Sequence, residues 1–264
     1  MTFLNLIKRD IQFIVSHIYK RFLIVISILF LLVFILHYQF DKLSSLDIML
    51  YFFKGISKEQ LDNKIFIFPI CWLVFHLSSS FILSDVLKND IFNFSPYILI
   101  KRVSRKKIWI SKVVVLLVFS LFFNLLFFGI STISISIITK CIGNINDMVF
   151  LPDMFNGSLS FLYMYLFIIQ FLVTVLLNMI YFLCNLILPA IYSFLVNISL
   201  LVFIMMVYIP LNPLNYSMVS RINLSSNLLI WEPILGVFII IIIFLGISYY
   251  IFNHLEFLDS KEGT

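Results

Sequence analysis

Long uncharged apolar runs separated by short polar segments dominate this chain. About 20 apolar residues at a rise of about 1.5 Å cross a hydrocarbon layer of roughly 30 Å. Runs of that length lie at 22–40, 65–84 and 113–139, none with Asp, Glu, Lys or Arg. From Met154 to Ser220 there is again no Asp, Glu, Lys, Arg or His, and its apolar part, 159–210, is too long for one helix. It predicts a helical hairpin, 159–183 and 188–210, with its turn near Cys184, Asn185 and Pro189, because proline disfavours a continuous helix and asparagine suits turns. A last run covers 233–252. The pattern predicts an all-α membrane protein of six transmembrane helices in a single domain over 1–264.

The first 21 residues have a different rhythm. Leu4, Ile7, Ile11, Ile14 and Ile18 recur every three or four positions, with Lys8, Arg9, Asp10 and Gln12 mostly elsewhere. An apolar stripe beside a basic face predicts an amphipathic helix on the inner membrane surface before the first span.

Composition agrees with the pattern: 62% hydrophobic, 12% charged, mean hydropathy +1.11. Charge adds orientation, because insertion keeps Lys and Arg mainly on the cytoplasmic side. With the N-terminus inside, the inner segments hold Lys8, Arg9, Lys20, Arg21, seven residues between Asp85 and Lys112, and Lys261. The outer ones hold Lys42, Lys54, Lys58, Lys64, Lys140 and Arg221, so twelve of the 18 basic residues are inside and both termini are expected to be cytoplasmic. The first run is too long for a cleaved leader and lacks a small-residue cleavage site, so it reads as a retained span. The expected location is the cell membrane, multi-pass.

Chemistry inside the spans is sparse. No carboxylate falls in any of them, and intramembrane charge is what ion-driven carriers use. His37 and His76 are the titratable candidates, and His76 reads best as an imidazole bonded to a neighbouring helix or to Ser78, Ser79 or Ser80 on its own helix. Paired carboxylates, clustered histidines and a Ser/base pair are missing from the spans, so no enzyme is read. Cys71, Cys141 and Cys184 have no metal-ligand spacing, and the seven glycines include no GxxxxGK[ST]. The chain is expected to carry no cofactor of its own. Asn124, Ser131, Thr132, Gln170, Thr174, Asn178 and Asn197 read mostly as helix contacts, a minority as path-lining.

The segment 85–112 is too long for a simple turn. Ser95-Pro96 starts a short helix, and the segment ends in the basic cluster Tyr97–Lys112. Between two spans that cluster sits at headgroups, which fits lipid anchoring by Lys106, Lys107, Trp109 and Lys112 and not a nucleic-acid surface.

Asp90, followed by Ser104, Arg105, Trp109 and Lys112 in an S-R-x-x-x-aromatic-x-x-K arrangement, gives this loop a recognisable form. With the amphipathic N-terminal helix and six spans, it resembles an ABC-2 type transporter permease. Many such permeases carry a Gly-Thr pair where this chain has Phe94 and Ser95. The resemblance implies a transmembrane subunit that pairs with a second permease copy or a homologue. Separate cytoplasmic ATP-binding cassette subunits would bind the ATP and Mg. It implies that 85–112 is the coupling loop, with Asp85, Lys88, Asp90, Tyr97, Arg102 and Arg105 facing the ATPase, and that the outer loop 211–232 folds into gate helices. The implied function is ATP-driven export of a hydrophobic or amphipathic substrate, antimicrobial peptides above all. The alternative is a membrane immunity or sensor protein that binds a peptide without transporting it.

Overall fold

The computed structural model describes residues 3–39, 45–64, 68–83, 86–91, 103–142, 159–209, 212–222 and 231–254. Among these the chain is helical, without strands. The elements are α1 (Phe3–Gln39), α2 (Ser45–Phe52), α3 (Lys58–Asp62), α4 (Ile70–Leu83), α5 (Val86–Asn89), α6 (Arg105–Ile142), α7 (Leu159–Ile187), α8 (Ala190–Met206) and α9 (Trp231–His254). Two 3-10 turns, Pro213–Ser217 and Val219–Arg221, lie between α8 and α9.

Four helices are long and apolar enough to cross a membrane: α1, α6, α7 and α9. Their composition leaves large side chains such as Leu23, Phe34, Leu121 and Phe238 exposed, the surface that lipid solvates without cost. The two remaining apolar helices, α4 and α8, have 14 and 17 residues.

The separate N-terminal surface helix expected from the stripe is instead the first part of α1, which runs unbroken for 37 residues, about 55 Å. No glycine or proline lies within it. Part of its stripe is used for packing: Ile14 and Ile18 are buried together with Val25, Leu29 and Val33, whereas Leu4 is exposed and Leu6, outside the stripe, is buried. Between α7 and α8 the helix breaks at Leu188–Pro189.

Contacts order the bundle from end to end. Asp10 near the start of α1 meets Lys112 near the start of α6, and Arg105 Nη1 donates to the Asn253 carbonyl at the end of α9, 2.5 Å away. At the same end Lys88 Nζ donates to Leu188 O at 3.0 Å. At the opposite end the 3-10 segment meets the start of α4 and the first half of α7 through Trp72 and Gln170. Successive long elements therefore run in alternating directions. Between the ends sits an aromatic knot, in which Phe127 lies 4.7 Å from Phe75, 4.8 Å from Phe52 and 5.7 Å from Phe53.

The turn between α2 and α3 depends on Gly55, whose φ is 67° and where a Cβ would come within 2.3 Å of Met218. An L-residue in the left-handed region costs about 1–2 kcal/mol before any clash. Gly55→Ala is expected to lower the detergent melting temperature, and adding Met218→Ala recovers only the part of the clash made by the Met218 Cγ and Sδ, since its Cβ also stands in the way. Full recovery in the double variant would show that the backbone angle does not matter there.

Candidate functional site

The most concentrated chemistry in the described residues is a buried four-charge cluster. It joins the first turns of α1, the wider π turn at 90–91 that ends α5, and the beginning of α6. Lys112 Nζ sits 2.9 Å from Asp10 Oδ2 and pairs directly with Asp90. Arg9 pairs with its neighbour Asp10, Nε to Oδ1 at 2.9 Å, and reaches Asp90 Oδ1 at 3.4 Å. Ser111 donates its hydroxyl to Asp10 Oδ2 at 2.6 Å.

Lys112 is 0% exposed, Asp10 is 0% and Asp90 1%, while the Arg9 side chain keeps 30%. Among the described residues two cations and two anions balance, so each buried charge has an opposite neighbour and a hydrogen bond, the condition under which burial of charge is tolerated. A shared network of this kind couples its members. Here the network ties the turn bearing Asp90 to α1 and α6.

A second site closes the other end. Arg221, 7% exposed, donates Nε to Ile56 O at 2.7 Å, Nη1 to Ile204 O and to Asn215 Oδ1, both 2.7 Å, and Nη2 to Met205 O at 2.8 Å. Ile204 and Met205 belong to the last turn of α8, whose carbonyls have no onward helical partner. One guanidinium fork thus caps α8 and ties it to the α2–α3 link. Burial pulls the guanidinium below its ordinary value, and nearby Tyr208 opposes the shift. Val219 N and Ser220 N donate to Phe53 O and Lys54 O at 2.7 and 3.0 Å, and Ser217 accepts from Trp72 Nε1 at 3.0 Å and, at its carbonyl, from Gln170 Nε2 at 2.8 Å. Residues 212–222 form a strap over this end.

The predicted loop residues separate. Asp85, Tyr97 and Arg102, with Phe94, Ser95 and Pro96, lie outside the described residues, as does the side chain of His37. Asp90 enters the cluster, whereas Lys88 and Arg105 bond backbone carbonyls of α7–α8 and α9. Lys106 and Lys107 are exposed. Lys112 does not reach headgroups as an anchor would, because Asp10 and Asp90 draw it into the interior. Trp109 is turned to α9, its Nε1 donating to Ser248 Oγ at 3.2 Å and its ring edge-on to Tyr249 at 5.1 Å.

Asp10 and Ser111 were missed. Asp10 is the only acid in the first 40 residues and stands in a basic neighbourhood, which was the available signal. His76 also departs from expectation: it is fully buried, yet neither ring nitrogen has a hydrogen-bond partner among the described residues. Ser79 and Ser80 bond Asn178 and Asn197 instead.

In comparisons with known proteins, no family, curated protein or solved structure matches this chain.

Proposed function

We propose that this chain is the transmembrane subunit of an ATP-binding cassette exporter for a hydrophobic or amphipathic substrate, with peptides the favoured cargo. The observation that carries the reading is the Asp90–Lys112–Asp10–Arg9 network, which binds the segment after α4 to two membrane-length helices. A pulling loop needs such a rigid attachment. In this reading α1, α4, α6, α7, α8 and α9 make six spans, the cluster end and both termini face the cytoplasm, and the strap faces outward. The alternating helix directions and the exposed Lys106 and Lys107 at the cluster end support that orientation.

Separate ATPase subunits would bind ATP and Mg and dock on the loop around Asp90. A second permease chain would complete the translocation unit in the cell membrane. Affinity purification of the tagged chain from its native membrane in mild detergent tests this. A soluble P-loop subunit in stoichiometric amount is the expected companion. Its absence, with the chain intact, contradicts the exporter and leaves the peptide-binding immunity or sensor protein.

A further inference from the structure

Between the charge cluster and the strap, the inward faces of four helices carry uncharged polar side chains at helical spacing. On α4 these are His76 and Ser79, on α6 Ser120 and Asn124, on α7 Gln170 and Asn178, on α8 Asn197, and all seven are 0% exposed. Some meet: Ser79 Oγ donates to Asn178 Oδ1 at 3.2 Å, Asn178 Nδ2 to Ser120 Oγ on α6 at 3.0 Å, and Asn197 Nδ2 to Ser80 Oγ at 2.6 Å.

The pairing is one-sided. Asn197 Oδ1, Gln170 Oε1, Asn124 Oδ1 and both nitrogens of His76 are buried without a hydrogen-bond partner among the described residues. The Gln170 side chain faces His76, yet no well-aligned bond joins them. Polar residues that serve only to hold helices together satisfy one another. Here Asn124, Gln170 and Asn197 donate through their nitrogens and leave their oxygens over.

The geometry points to a binding seam for an uncharged peptide backbone, running between α4, α6, α7 and α8 and held shut in this conformation. Unmatched acceptors call for donors, and the seam has no carboxylate to neutralise a cation, whose burial would be costly. Neutral N–H groups meet both conditions, and a peptide supplies one per residue. The ends of the seam are closed by the two built contacts already described: Ser217 on Trp72 and Gln170 at one, Ser111 and Lys112 on Asp10 at the other. The inference rests on the exporter reading for its ATP dependence but not for the site.

The test places single cysteines at Thr174, which is buried on the same face of α7, and at Asn178, in a chain whose Cys71, Cys141 and Cys184 are serine. Phe238→Cys, on the lipid side at 51% exposure, is the control. The protein is reconstituted with its copurified ATPase in vesicles of phosphatidylglycerol and phosphatidylethanolamine and treated with a charged methanethiosulfonate. Labelling at both seam positions is expected about tenfold above Phe238→Cys, since a hydrated thiolate reacts and one in hydrocarbon does not. A blocked peptide of alternating leucine and alanine is expected to suppress it. Labelling no faster than the control in either ATP or nucleotide-free buffer overturns the seam, and labelling that the peptide leaves unchanged overturns its ligand class. Peptide-protected labelling that ignores ATP supports the seam and contradicts the exporter. Thr174→Cys keeps a small side chain and serves if Asn178→Cys fails to fold.

Discussion

Lys112→Met is expected to destabilise the protein by about 3–5 kcal/mol, the cost of leaving a buried ion network with an unbalanced charge. Asp10 and Asp90 are almost wholly buried, and Lys112 is the fully buried cation between them. Removing it takes the fully buried cation away from both carboxylates, which Arg9 still contacts. Adding Asp90→Asn restores neutrality, because Arg9 and Asp10 remain as a pair 2.9 Å apart. The double variant therefore melts much closer to the native protein than the single variant does. Equal melting of the single and double variants in detergent would mean that packing, not charge balance, governs this site.

Arg221→Ala has the next largest effect. It strips donors from Ile56 O, Ile204 O, Met205 O and Asn215 Oδ1 at once. Each unsatisfied buried acceptor costs about 1–3 kcal/mol where no water reaches it. Partial hydration of the loosened strap limits the total to roughly 3 kcal/mol. Arg221→Lys recovers little, since an ammonium on a flexible stem cannot reproduce the planar fork. Hydrogen exchange reads the strap itself: the Val219 and Ser220 amides, bonded to Phe53 and Lys54 carbonyls, are expected to exchange about ten- to a hundredfold faster in the variant. Unchanged protection there would show that the strap holds without its arginine.

The long helices were legible because lipid imposes one rule on every residue: a span must be apolar and about 20 residues long. Helix limits were less so. The third predicted span starts at 113, but α6 starts at Arg105, since Lys and Arg are good helix formers and nothing breaks the chain before the apolar run. α4 begins only at Ile70, directly after Pro69, which suits a helix start.

The charge cluster was half legible. Asp90 stood out as an acid in the loop after the second predicted span, but its partner Lys112 read as one more headgroup cation. Nothing local distinguishes Lys112 from Lys107. The difference comes from Asp10, more than a hundred residues earlier, whose place on a polar helix face gives no hint that α6 covers it. Arg221 was hidden for the same reason, because its partners are backbone carbonyls that no sequence pattern displays.

The Asp90–Lys112 contact is expected to transmit movement of the loop to α1 and α6. The direct measurement is ATP turnover of the charge-balanced Lys112→Met/Asp90→Asn double variant together with the proposed ATPase subunits. If the contact transmits, the double variant folds and assembles while turnover falls about tenfold toward that of the separate ATPase subunits, within the usual span of a coupling energy. Native turnover in an assembled double variant would contradict the claim.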